Sequence, residues 1–210
     1  MSVTQLDFFN TPEPPQRAKE IILDNAHFVF YESFFDKIES DNLYSKLIKD
    51  IKWEQDEINM YGRIIPLPRL SAWYGDLDKS YTYSGITVHP NSWSKDLLFI
   101  KNKIQEEAKV NFTNVLANLY RDGKDHMGWH TDDEKELGIN PIIGSVNFGA
   151  SRRFVLRRMD DHKEKLEFEL KHGSFLLMKG ETQHYWQHQV PKTTKILDPR
   201  INLTFRIIKP

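Results

Sequence analysis

A chain of 210 residues that sets 29 Lys and Arg against 30 Asp and Glu has a formal net charge of -1, so no overall basic field marks a nucleic-acid partner and any such contact must come from local patches. Hydrophobic residues at 39% and charged residues at 28% fit one globular domain with a substantial core rather than a disordered or fibrous chain. The absence of cysteine excludes disulfide scaffolds, thiol nucleophiles, thiolate-bound zinc and cysteine-held iron–sulfur clusters, and leaves His, Asp and Glu as the metal donors.

Met1 to Asn10 contains Asp7 and no Lys or Arg, unlike a secretory signal, so the expected location is the cytoplasm: the cytosol of a bacterium, or the nucleus of a eukaryotic cell. Residues 1 to 19 carry Pro12, Pro14 and Pro15 without sustained periodicity, which predicts a flexible leader ahead of a folded domain over residues 20–210. No apolar run approaches the roughly 20 residues of a bilayer span, because Asp24, Glu32, Asp36 and Lys37 interrupt the richest stretch. Ser40 followed by Leu43, Leu47 and Ile51 predicts a first helix with Ser40 as its cap. Ser94 followed by Leu97, Ile100, Ile104 and Ala108 predicts a second. From Phe112 onward the period changes to two. Strands are expected at Asn114–Tyr120, Ile142–Phe148, Phe154–Arg158, Leu166–Leu170, Ser174–Met178 and Ile201–Ile207. Helices first and short strands after predict an α+β, mainly β fold: a double-sheet jelly roll with the N-terminal helices packed on one face.

Within Trp129-His130-Thr131-Asp132-Asp133, His130 and Asp132 are two residues apart and project to one side of an extended segment. His188 supplies a second imidazole further along. Two imidazoles and a carboxylate make a facial triad that suits ferrous iron and leaves coordination positions open. Such a pair with a distant histidine also arises by chance in a chain with eight histidines. A zinc hydrolase pair of His126 and His130 on a helix is disfavoured by Gly123 and Gly128, and by Met127 where a Glu would follow the first histidine.

The segment Arg200-Ile201-Asn202-Leu203-Thr204-Phe205-Arg206 places Arg200, Asn202, Thr204 and Arg206 on one face and Ile201, Leu203 and Phe205 on the other. An isolated strand of this pattern reads as a solvent face and a core face. If the polar face points into the barrel instead, two inward guanidiniums need an anion, and a dicarboxylate such as 2-oxoglutarate supplies it. Asn118 and Tyr120 share a face of their own strand and would close the same pocket.

The run from Asn118-Leu119-Tyr120 through Asp125-His126-Met127-Gly128-Trp129-His130-Thr131-Asp132-Asp133-Glu134, with His188 and the Arg200 to Arg206 strand, resembles AlkB-type dioxygenases, and most of all their DNA-repair branch. The resemblance covers roughly residues 21 to 210 and rests on four separated motifs in order. It implies a double-stranded β-helix, ferrous iron on His130, Asp132 and His188, dioxygen, and 2-oxoglutarate contacted by Asn118, Tyr120, Arg200, Asn202, Thr204 and Arg206. His184 is the rival third ligand; the family's ligand histidine stands just before a short apolar-Pro step, which matches His188-Gln189-Val190-Pro191.

The implied reaction is oxidative demethylation of N-alkylated bases in DNA, typically 1-methyladenine and 3-methylcytosine, with release of formaldehyde. Asp133 would complement the positive charge of such a base. Tyr81-Thr82-Tyr83-Ser84-Gly85 resembles the family's lid, with Tyr83 stacking on the extracted base and Tyr81 and Ser84 beside it. Met60-Tyr61-Gly62-Arg63 resembles its finger hairpin, with Tyr61 as the wedge. Arg63, Arg69, Arg152, Lys163, Lys192 and Lys195 are candidate grips on the backbone. Gln5-Leu6-Asp7-Phe8-Phe9 looks like the peptide with which bacterial repair proteins dock on the sliding clamp. A monomer without membrane association is expected. RNA demethylation, another 2-oxoglutarate-dependent hydroxylation, and a non-catalytic module that binds damaged nucleic acid or the clamp are the alternatives.

Overall fold

The computed structural model describes residues 18–60, 62–77, 81–83, 86–195 and 197–209, with the backbone alone at 59–60, 81–83 and 86–88. The Gln5–Phe9 peptide, Tyr61 and Ser84 lie outside the described residues, as do the side chains of Tyr81 and Tyr83.

β1 (Lys19–Leu23) and β2 (Ala26–Tyr31) pair antiparallel across Asp24-Asn25, where Asn25 takes a φ of 54°, the left-handed geometry that two-residue hairpins favour. α1 (Lys37–Asp50) starts at Asp36: its Oδ1 accepts the Glu39 N–H at 2.8 Å while Glu39 Oε2 accepts the Asp36 N–H at 3.3 Å. This reciprocal box satisfies donors that the first turn cannot. Ser40, the cap expected from spacing, instead lies buried inside that turn and donates its hydroxyl to Phe35 O at 3.2 Å. The Asp36–Glu39 box starts the helix four residues early.

β3 (Glu57–Met60) and β4 (Arg63–Pro66) form a hairpin, β5 (Leu70–Gly75) follows, and β6 (Tyr81–Tyr83) pairs with β7 (Ile86–Val88). α2 (Lys95–Ala108) starts as the spacing predicts, with Ser94 Oγ accepting the Leu97 N–H at 3.2 Å. Then come β8 (Asn114–Tyr120), β9 (Met127–His130), β10 (Ile143–Gly149), β11 (Arg152–Arg158), β12 (Lys165–Leu170) and β13 (Ser174–Lys179). A single helical turn, α3 (Thr182–Tyr185), leads to β14 (Trp186–Val190), and β15 (Arg200–Arg206) completes the set.

Seven strands in the order β1-β2-β13-β10-β15-β8-β5 form one antiparallel sheet, and β12-β11-β14-β9 form the other. Together they make the jelly roll. The first, second and fifth strands correct the expectation of an N-terminal half built of helices alone. β2 lies between two neighbours and packs on both faces, Phe28 toward the space between the sheets and Val29 and Tyr31 toward the helices. Such strands read as unbroken apolar runs and hide the alternation that identifies a strand.

Two cores result. Leu43 and Leu47 of α1 and Leu97, Ile100 and Ile104 of α2 cover the outer face of the larger sheet, where Val115, Ala117, Ile201, Leu203 and Phe205 meet them. Phe154, Leu156, Phe168, Leu170, Leu176, Met178 and Trp186 fill the space between the sheets. The odd-numbered residues of β15 thus face the helices, and the polar even-numbered set faces the interior. Among the described residues no helix is long and apolar enough to cross a membrane.

Candidate metal centre and co-substrate cavity

β14 pairs antiparallel with β9 so that His188 stands directly across from His130. This register brings together two imidazoles far apart in the chain, with ring centroids 4.2 Å apart. Asp132 lies just past the end of β9, and His130, Asp132 and His188 each place one donor atom within 4.8 Å of the others. His130 Nδ1 is 2.8 Å from Gly128 O. A carbonyl only accepts, so Nδ1 carries the proton and Nε2 keeps its lone pair. His188 Nε2 is 3.7 Å from Asp132 Oδ2.

Burial, with the charges of His130 and Arg206 adding to it and that of Asp132 opposing, pushes the His188 imidazole down to about 3. It is a neutral donor throughout the physiological range. Burial acts on the Asp132 carboxyl in the opposite sense, but the charge of Arg206 beside it, above all, outweighs burial and holds that carboxyl below its usual range. Asp132 also accepts a hydrogen bond from Arg206 Nη2. A carboxylate and two imidazoles at this spacing form a donor set able to hold one divalent metal ion.

The even-numbered face of β15 lines the adjoining cavity. Arg200 is 1% exposed; its Nη2 donates to Asn147 Oδ1 at 2.5 Å, while its Nε and Nη1 have no acceptor among the described residues. Burial, mainly, pulls its guanidinium down to about 10, which still leaves it charged at neutral pH. The group lies 4.9 Å from the centroid of the Tyr120 ring, whose other neighbour is Arg152 at 5.6 Å. A buried cation with two unmet donors is costly unless an anion meets it. Thr204 Oγ1 donates to Asn202 Oδ1 at 3.0 Å, and Asn202 Nδ2 donates to Ser145 Oγ at 2.9 Å and Asn147 Oδ1 at 3.1 Å. Asn118, opposite Asn202 in the register, accepts from Arg69 Nε at 2.7 Å. The structure therefore gathers all six residues of the expected co-substrate set around one side of the jelly roll's interior, except that Arg206 also turns to Asp132.

The expected substrate contacts divide. Gly62 has a φ of 77° at the turn of the β3–β4 hairpin, and Arg63 beside it is exposed. Asp133 is exposed and accepts from Thr131 Oγ1 at 2.7 Å. Arg69 is buried and lines the cavity rather than the surface. Arg152, expected as a backbone grip, is buried too: it donates to the carbonyls of Asp122 at 3.1 Å, Asp125 at 2.9 Å and Pro191 at 2.7 Å. It ties the loop before β9 to the loop after β14, and its burial keeps it from the surface where a phosphate would meet it. Lys163, Lys192 and Lys195 are exposed.

His184 is exposed on α3, accepts the Asn140 N–H at 3.4 Å, and stands outside the metal-ligand group. His126 precedes β9 in a loop, so no helix aligns it with His130. Ser145 and Asn147 share the parity of the polar positions in β10, a signal the sequence carried. Gln183, whose Oε1 accepts the Asp132 N–H at 2.9 Å, sits in a single helical turn without periodicity to mark it.

Residues 27–206 match the model of the 2OG-Fe(II) oxygenase superfamily. The chain belongs to that superfamily, and a two-histidine, one-carboxylate site is a donor set suited to ferrous iron. Within it the chain is of the AlkB type. It is 43% identical over 186 residues to the alpha-ketoglutarate-dependent dioxygenase alkB homolog 3 of Bos taurus, covering 84% of this chain and 64% of that protein. It is 37% identical over 188 residues to the DNA oxidative demethylase ALKBH2 of Homo sapiens, covering 85% and 72%. The chain spans less than two thirds of the length of the alkB homolog 3 relative. The solved structure of OsALKBH1 superposes with a TM-score of 0.60 over 90% of this chain and all of that one, at 16% identity, and shares the fold.

Proposed function

We propose that the chain is an oxidative demethylase that removes methyl groups from N-alkylated bases of DNA, 1-methyladenine and 3-methylcytosine, with His130, Asp132 and His188 holding ferrous iron. The observation that carries this reading is the meeting of those three donors within 4.8 Å in a cavity lined by Arg200, whose buried Nε and Nη1 have no acceptor among the described residues. The names of the relatives, a dioxygenase and a DNA oxidative demethylase, support it.

Bound iron supplies the oxidation: dioxygen and 2-oxoglutarate become succinate, carbon dioxide and one hydroxyl on the N-methyl carbon, and the hydroxymethyl group then leaves as formaldehyde to restore the base. The chain's own residues bind, orient and exclude water. Arg200, beside Tyr120, anchors one carboxylate of 2-oxoglutarate with charge-assisted hydrogen bonds, while Asn118, Asn202 and Thr204 set the polar lining and Arg206 steadies Asp132 at the metal end. Met127, Phe154, Leu170 and Met178 line the same cavity with apolar surface and keep it dry. Asp133 sits next to the metal ligand Asp132, where a cationic base would meet its charge. Tyr83, with Tyr81 and Ser84, stacks on that base, and Tyr61, with Gly62 and Arg63, fills the position it vacates; Arg69 acts from inside through Asn118.

Mass spectrometry of a DNA oligonucleotide carrying one 1-methyladenine, incubated with protein, ferrous iron, ascorbate and 2-oxoglutarate, tests the reading. Loss of one methyl mass in the complete mixture only is the expected result. Succinate formation without methyl loss on DNA, but with loss on the matching RNA, would transfer the activity to RNA; the absence of both succinate and methyl loss would contradict an enzymatic role.

A further inference from the structure

Gln183 takes no part in the chemistry above, yet it is fully buried and directed at the metal loop. Its Oε1 accepts the main-chain N–H of Asp132 at 2.9 Å, and its Nε2 rests against Met178 Sδ at 3.6 Å, in the cavity wall. α3 itself is anchored from behind: Thr182 Oγ1 donates to Lys179 O at 2.5 Å and accepts the His27 N–H at 3.1 Å. β14 follows α3 directly and brings in His188. One amide therefore links the loop that carries the carboxylate donor to the connection that delivers the second imidazole.

We propose that Gln183 is a positioning residue for the metal centre, holding the Asp132 backbone so that the carboxylate faces His188 before metal arrives. The proposal rests on the metal-dependent reading of the site. Arg206 restrains the Asp132 carboxylate, but a side-chain contact alone leaves the main chain free to pivot. With no acceptor in place, the buried Asp132 N–H must move to find one, because leaving it unmet in the interior is unfavourable. Its own carboxylate moves with it. Partners that orient metal ligands in this way commonly govern affinity by about 10- to 100-fold.

Gln183→Leu keeps the approximate shape and removes the acceptor. The full-length protein is titrated with Mn(II) in the presence of 2-oxoglutarate and followed by electron paramagnetic resonance, and its Tm is measured with and without Mn(II). Mn(II) affinity is expected to fall by about 10- to 100-fold, and the rise in Tm on adding Mn(II) is expected to shrink accordingly, with an unchanged far-UV spectrum. Unaltered affinity, or a drop in Tm that is the same with and without metal, would reduce Gln183 to core packing and overturn the proposal. Gln183→Asn, which withdraws the carbonyl by one methylene, answers the same question if the leucine variant does not fold. Failure of the wild-type protein to bind Mn(II) would overturn the metal reading itself, and the proposal with it.

Discussion

Arg200 and Arg206 share one face of one strand but meet different company. Arg206 donates to Asp132 and comes within 4.0 Å of Glu134, so its charge is answered by the protein. Among the described residues Arg200 has Asn147 Oδ1 as an acceptor for Nη2, and none for its buried Nε and Nη1. Removing two charge-assisted hydrogen bonds, at about 1.5 kcal/mol each, changes a binding constant by on the order of a hundredfold. Arg200→Met is accordingly expected to raise the KM for 2-oxoglutarate by about that factor while leaving Mn(II) affinity in the absence of 2-oxoglutarate unchanged. Succinate formation over a 2-oxoglutarate series, beside a Mn(II) titration, checks both halves. At this scale the sequence was legible where chemistry and periodicity coincide, as in Arg200, Asn202, Thr204 and Arg206. Residue type alone did not tell a solvated arginine from a buried one. Arg69 and Arg152 read as surface cations, and their burial depends on strands and loops far from them in the chain.

At the scale of elements, the loop between β8 and β9 is a small electrostatic device beneath the metal strand. Asp125 is buried, and it accepts from Arg121 Nε at 2.8 Å, Arg121 Nη2 at 2.9 Å and the Arg121 N–H at 2.9 Å. Burial raises its carboxyl pKa, but the Arg121 bonds and the charges of Arg121 and Arg152 outweigh it and hold the group below its ordinary 3.8. A carboxyl whose folded pKa is depressed stabilises the fold fully above its unfolded pKa and loses that contribution as the pH falls through the folded value. The metal-free protein is expected to lose stability as the pH drops below about 4, and Asp125→Asn to flatten that acid limb while lowering Tm at pH 7. Tm measured between pH 3 and 7 decides it; parallel curves for the two proteins would contradict the assignment. The element boundaries show the same division of legibility. Ser94 capped α2 as its spacing predicted because nothing competed with it, whereas Asp36 and Glu39 outcompeted Ser40 at α1. β2 was hidden because a strand covered on both faces loses the alternation that marks β8 and β15.

For the whole molecule, the net charge of -1 means that the nucleic acid of the proposed function would have to be gripped by local features. Its jelly roll supplies a rigid frame that holds ligands from β9 and β14 across from the polar face of β15. We propose that Gln5–Phe9, which lies outside the described residues, docks on a sliding clamp and takes no part in catalysis. Deleting residues 1–10 is expected to abolish clamp binding in a pull-down and to leave demethylation of free oligonucleotides unchanged. Retained clamp binding would remove that role from the peptide.

The central claim, that this cavity binds iron and 2-oxoglutarate together, is tested most directly by anaerobic titration of the metal-free protein with ferrous iron in the presence of 2-oxoglutarate. The signal is the visible charge-transfer absorbance that ferrous iron gives when chelated by a 2-oxo acid. The wild-type protein is expected to develop this band with an endpoint at one iron per chain, and Asp132→Ala to lose it while remaining folded. A band of undiminished intensity in Asp132→Ala would place the iron elsewhere and contradict the account.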